Sequence, residues 1–213
     1  MREDLEQEEQ LDAIKGFWAE NKRWIVPLIT LALLAAASFN GFNWWKERQA
    51  VKATEALVAL ENALKEQSLD KAKVVYKVLA DDYASTTQAS LGGLQMAKSL
   101  VSSGDLPAAR DALSHVAKNG ADEFSWVAKI RLAGVMLDEN NAKGALDVLS
   151  GTPGKDIAPL VNDRKGDVYA ALGNLEEARA AWKLAADALT AGSPTRELVL
   201  RKLQSVDAFK EAK

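Results

Sequence analysis

The sequence has 213 residues and a formal net charge of −3, which is long enough for one domain with a core after an N-terminal segment of residues 1–45. It contains no cysteine, which excludes disulfides, zinc-ribbon sites and thiol catalysis. Residues 1–45 hold four basic and seven acidic side chains, and the totals of 27 and 30 then leave 23 of each for the remainder. A neutral remainder with no basic stripe predicts that the protein does not bind nucleic acid.

The first 23 residues are predicted to form an acidic tail. The acidic stretch Glu3–Asp12 leads into an amphipathic segment with apolar side chains at Leu11, Ile14, Phe17 and Trp18. An amphipathic segment of this kind is able to dock into a groove on a partner protein.

Residues 24–45 contain no charged side chain and are predicted to form one transmembrane helix. At ~1.5 Å per residue they reach about 33 Å, enough to cross a bilayer core of roughly 30 Å. Trp24 follows two basic residues, while Trp44 and Trp45 precede two others. Tryptophan backed by snorkelling cations is typical of a membrane interface, so these three residues are the predicted anchors.

Two alternatives to a membrane span stay open at this point. The segment could be a buried core helix, although symmetric flanking by tryptophan and cations is unusual there. It could also be a cleaved signal peptide with an apolar region at Ile25–Ala37 and small residues for cleavage at its end. An acidic leader of 24 residues and the aromatic cluster after the apolar region argue against cleavage.

The orientation of the predicted span does not follow from its flanking charges. Three basic residues lie on each side of it: Lys15, Lys22 and Arg23 before, and Lys46, Arg48 and Lys52 after. The positive-inside rule therefore does not decide. A short tail followed by a long C-terminal domain is typical of a signal anchor, which predicts that the N-terminus is cytoplasmic and residues 46–213 lie outside.

The remainder of the chain carries an internal repeat with helical periodicity. In four segments a small alanine is followed four positions later by a large residue. The alanines are Ala72, Ala109, Ala145 and Ala178, 37, 36 and 33 residues apart, and their large partners are Tyr76, Leu113, Leu149 and Trp182. A small residue lets two antiparallel helices approach, and the bulky one a turn later fills the groove beyond it. The fold class predicted is all-α, a tetratricopeptide-like α-solenoid over residues 46–213.

The last unit matches the tetratricopeptide pattern best. Gly166, Tyr169 and Gly173 precede Ala178 and Trp182 at the expected spacing. In the two middle units, alanine stands in place of the first glycine, at Ala97 and Ala133. The tyrosine is replaced by Leu100 in one of these units and by Met136 in the other. The alternative is a generic alanine-rich helical bundle.

Segments on either side of the four units complete the predicted domain. A helix over residues 46–66 is expected to continue from the membrane as a stalk and to pack on the first unit. Residues 193–213 are expected to form a C-terminal cap, which a solenoid needs to cover its last apolar face. The longest break between helices is expected at Ser150–Pro159, which has two prolines and two glycines.

No constellation of residues predicts catalysis. His115 is the single histidine, on the second helix of a repeat unit, where a surface or half-buried position is expected. The adjacent acids at 81–82 and 122–123 are explained by helix capping and solvation better than by metal binding. We predict no catalytic, cofactor-binding or metal-binding residue and no cofactor, and therefore a protein that is not an enzyme.

Binding is the expected function of the concave face of a helical solenoid. The residues expected to point toward it are Leu91, Leu94, Lys98, Val101, Val127, Ile130, Leu137, Leu160, Asp163 and Asp167, and the candidates for binding among them are Leu94, Lys98, Ile130, Asp163 and Asp167. For each residue, packing between helices is the alternative. The basic and asparagine residues that clamp a C-terminal carboxylate in some tetratricopeptide domains are absent, which favours apolar or other recognition.

Several motifs together resemble a known family. They are Glu8-Glu9-Gln10; the run Ala13 to Asn21 with Ala13, Ile14, Lys15, Phe17, Trp18, Glu20 and Asn21; the end of the span at Asn43-Trp44-Trp45-Lys46; and the C-terminal unit over residues 165–182. This combination resembles the YfgM family of ancillary SecYEG translocon subunits over nearly the whole chain. The run before the span is its most specific part.

The resemblance implies a single-pass protein of the bacterial inner membrane with a cytoplasmic tail and a periplasmic repeat domain. It implies association with the SecYEG translocon and with PpiD, a periplasmic chaperone of the prolyl-isomerase type. The implied function is a non-catalytic scaffold that links emerging secreted client proteins to periplasmic chaperones. The family is also linked to envelope-stress signalling, which gives the alternative of a regulator whose cytoplasmic tail binds a stress response regulator.

Overall fold

The computed structural model describes the backbone of residues 2–211 and the side chains of residues 11 and 15–206. All regular secondary structure in these residues is helical, as predicted. The helices are α1 (Arg2–Lys65), α2 (Leu69–Asp82), α3 (Thr87–Ser102), α4 (Leu106–Asn119), α5 (Asp122–Asp138), α6 (Ala142–Val148), α7 (Ala158–Ala171), α8 (Leu175–Ala188) and α9 (Pro194–Glu211). The chain divides into two compact units, Met1–Arg48 and Gln49–Lys213.

The first unit carries the apolar segment predicted to span a membrane. Its most apolar window of 18 residues has a mean hydropathy of 1.9, and none of that window is buried. The described residues thus include one helix that is long and apolar enough to cross a bilayer. Because its apolar side chains are exposed, the alternative of a soluble core helix is wrong.

The second unit is a row of helices in which each helix contacts the next along the chain from α2 to α9. Contacts also join α3 to α5 and α5 to α7, so these three helices lie side by side in one layer. The end of α1 joins this layer, since Gln88 and Gln95 of α3 donate hydrogen bonds of 3.0 Å to Thr54 Oγ1 and Glu61 Oε1. Alternating helices with one shared inner layer are the architecture of a helical-repeat solenoid.

The predicted small–large pairs form the core of this solenoid. All four alanines of the repeat are fully buried, and Leu113, Leu149 and Trp182 are buried beside them. Tyr76 is half-buried and packs against the same core as Leu113. Among the described side chains the core is a succession of three apolar clusters, as expected when each unit packs only on its neighbours.

A turn of the same geometry joins the two helices of each unit. The middle one of the three residues between the helices has a left-handed backbone, with φ between 56° and 82°. These residues are Gln67, Gly104, Asn140 and Gly173, each five positions before the repeat alanine. In every turn the next residue donates its N–H to the carbonyl five positions earlier at 2.7–2.9 Å, the Schellman closure of a helix end. This backbone motif shows that residues 49–65 with α2 form a repeat unit like the other three.

The residue that follows the left-handed position is a helix-capping type in all four turns. Before α4 this residue is Asp105, whose Oδ1 accepts the backbone N–H of Ala108 at 3.2 Å. Lys73 Nζ lies 2.8 Å from Asp105 Oδ2, and this hydrogen bond, together with the one from Ala108, lowers the pKa of the carboxyl below its usual range. Asp105 thus joins α4 to α2 of the preceding unit.

Tyr76 is expected to make the stability of the solenoid sensitive to alkaline pH. Its hydroxyl donates to the carbonyl of Ala112 at 3.3 Å, and burial raises its pKa from 10.0 to about 12. The folded state therefore holds the phenol proton more tightly than the unfolded state, so this contribution to stability is complete below pH 10 and is lost as the pH rises through 12. We expect wild type to lose about 2–3 kcal/mol more unfolding free energy over this range than Tyr76→Phe.

Urea unfolding of both proteins between pH 8 and 12, followed by circular dichroism, measures the difference. The two proteins differ only in the hydroxyl of residue 76, so the difference between their stabilities reports that group. Parallel losses of stability would show that the buried phenol is not the cause.

Candidate membrane anchor and partner-binding groove

The predicted anchors lie on the surface of the apolar helix. Trp24, Trp44 and Trp45 are 77%, 57% and 49% exposed. At the C-terminal end of the segment the guanidinium of Arg48 lies 4.4 Å from the centre of the Trp44 ring. Lys46 Nζ lies 5.0 Å from the ring centre of Phe42. These cation–π pairs place aromatic and basic groups together at the end of the segment, the arrangement expected at a membrane–water boundary.

The tail motif presents large apolar side chains to the surroundings. Leu11, Phe17 and Trp18 are all about half exposed or more. Asn21 Nδ2 donates to the carbonyl of Phe17 at 2.9 Å, and Lys15 and Glu20 are exposed. The side chains of Ala13 and Ile14 lie outside the described residues. The part of the motif that the structure describes therefore offers an exposed aromatic pair for contact with a partner.

The candidate concave-face residues lie in different surroundings. Leu94 is only 7% exposed and belongs to the core, so its side chain offers almost no surface to a partner. Ile130 is half-buried against the second apolar cluster, whereas Lys98 is exposed. Among the wider predicted set, Leu91, Val101 and Leu160 are partly exposed, and Val127 and Leu137 are half-buried.

Asp163 and Asp167, the two acidic candidates, bind the C-terminal helix. Lys202 Nζ on α9 lies 2.7 Å from Asp163 Oδ1 and 2.7 Å from Asp167 Oδ1. The indole Nε1 of Trp182 donates to Asp167 Oδ1 at 3.2 Å, and Arg164 Nη1 lies 3.3 Å from its Oδ2. Both carboxylates are thus engaged within the last unit, where they hold α9 against α7 and α8.

An open groove of about 560 Å³ lies along the inner layer of α3, α5 and α7. We call it the inner groove. Its lining residues are Ala97, Lys98, Val101, Ser102, Leu113, Arg131, Gly134, Val135, Leu137, Asp138 and Arg164. A second recess of about 830 Å³ shares Lys98 and Ser102 with it and extends to the end of α1 at Glu61 and Lys65. The two recesses follow the same layer of helices, so the solenoid offers a long surface on this side.

The inner groove is basic although the domain as a whole is neutral. Three cations, Lys98, Arg131 and Arg164, line it against one acid, Asp138. Among the described residues Lys98 has no ion pair, and Arg131 makes only a long hydrogen bond of 3.5 Å to the carbonyl of Leu94. Arg164 has one acidic partner, Asp167. The groove therefore combines unpaired positive charge with an apolar floor, which suits binding of an anionic partner.

Lys98 was predicted to face the groove, whereas Arg131 and Arg164 also line it and were not predicted. The described side chains contain no group of three or more histidine or carboxylate residues arranged to hold a metal ion. The chemistry that the groove offers is recognition by charge and by apolar contact.

The fold and the apolar segment define a class of protein: a tetratricopeptide-like helical-repeat protein with one candidate membrane helix near its N-terminus. A family model described as "Tetratricopeptide repeat-like domain" matches residues 15–208. The match covers the apolar segment and all four repeat units.

Relatives with the same name align over most of the chain. The "Ancillary SecYEG translocon subunit" of Neisseria gonorrhoeae is 30% identical over 212 residues, which is 97% of this chain and 100% of the relative. The protein of that name from Aggregatibacter actinomycetemcomitans is 29% identical over 205 residues, 95% of this chain and 98% of the relative. The Escherichia coli protein is 28% identical over 179 residues, 82% of this chain and 84% of the relative. The chain belongs to this family of ancillary SecYEG translocon subunits with a tetratricopeptide repeat-like domain, and the resemblance found in its sequence is confirmed.

Proposed function

We propose that this protein is a membrane-anchored, non-catalytic scaffold that associates with the SecYEG translocon in the bacterial inner membrane. The observation that carries the proposal is the alignment with an ancillary translocon subunit over 97% of the chain, including both the apolar helix and the repeats. A helical-repeat domain supplies extended surfaces for other proteins, and the apolar helix supplies a means of staying in the membrane.

We propose a topology with residues 1–23 in the cytoplasm, 24–45 in the membrane and 46–213 in the periplasm. A short N-terminal tail before a long C-terminal domain supports it. The exposed tryptophans at both ends of the apolar helix support its placement across the bilayer. In this topology the repeat domain stands where secreted proteins emerge, so it would link these clients to a periplasmic chaperone of the PpiD type.

Single cysteines test this topology, because the natural sequence has none. Gln10→Cys marks the tail, and Ala191→Cys marks the exposed turn before α9 without disturbing Ser193, whose Oγ accepts from Arg196 N. With only the outer membrane opened, an impermeant maleimide should label Ala191→Cys and leave Gln10→Cys protected until lysis. The reverse pattern would place the repeats in the cytoplasm and contradict the chaperone link.

Affinity purification from mild detergent tests the association itself. The full chain should recover translocon subunits and the chaperone. A matched control replaces residues 24–45 with an unrelated membrane helix of equal length, which separates anchoring from specific contact. Failure of the natural chain to recover the translocon would overturn the proposed scaffold.

A second candidate function is a regulator of envelope-stress signalling that acts through the tail. The exposed Leu11, Phe17 and Trp18 favour it, because large apolar side chains at helical spacing are able to dock a partner. Phe17→Ala/Trp18→Ala should change the output of a stress response regulator while leaving translocon recovery intact. Unchanged signalling in this variant would contradict a regulatory function of the tail.

A further inference from the structure

We propose that the inner groove binds an extended acidic peptide segment of a partner protein, with carboxylates on Lys98, Arg131 and Arg164. The biological purpose rests on the proposed scaffold function, whereas the binding itself is a property of the groove. The occupant we infer is a stretch in which glutamate or aspartate alternates with apolar residues.

Charge complementarity is the first argument. The groove carries three cations against one acid, although residues 46–213 carry equal numbers of both signs. Asp138 is the acid in this lining, and of the carboxylates near the groove Asp163 and Asp167 are both bound by Lys202. Lys98 and Arg131 have no carboxylate partner among the described residues. The unpaired positive charge therefore points to an anion supplied by another molecule.

The shape and polarity of the groove select a peptide. The same lining has an apolar floor that includes Val101, which is exposed, and Leu137, which is half-buried. An extended peptide presents many side chains along its length, so some can meet the cations while others pack on the floor. A small free anion would bind to the cations but would leave the apolar floor exposed to water.

The three cations differ in how much they contribute to the packing of the fold. Arg164 also binds Asp167, whose other oxygen contacts Lys202 of α9, so replacing Arg164 would disturb the last unit. Lys98 and Arg131 hold no other helix through an ion pair, which makes them the positions at which charge can be reversed with the least structural effect. The test variant is therefore Lys98→Glu/Arg131→Glu.

The experiment uses the full chain in nanodiscs of uncharged phosphatidylcholine. The probe is a fluorescein-labelled peptide of twelve residues in which Glu and Asp alternate with Leu and Val. Its twin carries Gln and Asn in place of the acids. Fluorescence anisotropy should show binding of the acidic peptide at least about tenfold tighter than binding of its twin, and weaker binding as salt is added.

Lys98→Glu/Arg131→Glu should weaken binding of the acidic peptide by about tenfold or more, because attraction at two positions becomes repulsion. The matched control is Lys143→Glu/Lys183→Glu, which makes the same charge change at exposed positions that do not line the groove. This control should bind as wild type within about twofold. Should the glutamate variant lose helicity, Lys98→Gln/Arg131→Gln replaces it, with a smaller loss expected.

Equal binding of the two peptides, or equal binding by both charge variants, would overturn the proposal. Vesicles that contain anionic phosphatidylglycerol provide a further arm: loss of vesicle binding in Lys98→Glu/Arg131→Glu without any peptide binding would assign the cations to lipid instead. Recovery of the translocon by wild type is measured separately. If wild type recovers the translocon but the peptide does not bind, the inference alone fails; if wild type does not recover it, the scaffold proposal fails.

Discussion

Trp182→Ala is expected to lower the free energy of unfolding of the repeat domain by about 3–5 kcal/mol. The indole is only 5% exposed and lies in the third apolar cluster, where Tyr169 and Val199 pack around it. Its removal leaves a cavity between helices, and it also removes the hydrogen bond from Nε1 to Asp167. The indole thus joins α8 to Asp167 of α7 and to the apolar face of α9.

Urea unfolding of the full chain in mild detergent, followed by far-ultraviolet circular dichroism, gives the stability change. Hydrogen exchange should locate it, with α7, α8 and α9 losing protection before α3 and α4, because each unit of a solenoid packs only on its neighbours. The control is Leu184→Ala on the same helix, which removes a side chain that is 60% exposed and should cost about 0.5 kcal/mol or less. Equal midpoints for the two variants would contradict the packing described here.

The fold was largely predictable because its determinants are local and periodic. Ala109 and Ala145 recur at the spacing of the repeat, and a large residue follows each of them four positions later. This pattern depends only on how one helix packs against the next. The shared left-handed turns were partly visible as well, since Gly104 and Gly173 stand at the same offset from the repeat alanine. Gln67 and Asn140 occupy the same turn without glycine, and residue type alone did not mark them.

The binding surface was less predictable because it depends on which narrow stripe of each inner helix stays uncovered. Leu94 lies one helical turn before Lys98, yet it is buried while the lysine is exposed. An inner helix packs on both neighbours and on its own second helix, so a small rotation moves a residue from the groove into the core. The periodicity of the sequence fixes a face but does not fix this rotation.

Asp163 and Asp167 illustrate a different limit. Their partner Lys202 lies 39 and 35 residues later in the sequence, on the helix that closes the solenoid. The cap over residues 193–213 was predicted because a solenoid needs a helix to cover its last apolar face, but a specific ion pair across that distance leaves no periodic signal. The acids therefore looked free for a partner when they belong to the packing of the last unit.

Gly166→Ala is expected to destabilise the repeat domain by about 1–3 kcal/mol, although alanine has the higher helix propensity. A Cβ at this position would clash with Cδ1 and Nε1 of Trp182, whose indole is buried. Gly134→Ala is the matched control within α5, since its nearest neighbour, Cζ of Arg164, would lie at an ordinary contact distance of 3.5 Å. That substitution should leave stability unchanged or raise it by up to about 1 kcal/mol.

The clash predicts a reversal when the indole is absent. In the Trp182→Ala background the new methyl group of Gly166→Ala enters the cavity, so the same substitution should be neutral or stabilising. Urea unfolding gives the stability change caused by Gly166→Ala in each of the two backgrounds. The difference between these two changes is the coupling energy of the two positions, expected to be about 0.5–3 kcal/mol. An equal cost in both backgrounds would mean that Gly166 is required for a reason other than the indole. A reversal would show that the glycine and the tryptophan, 16 positions apart in the sequence, act as one small–large pair that sets the approach of α7 and α8.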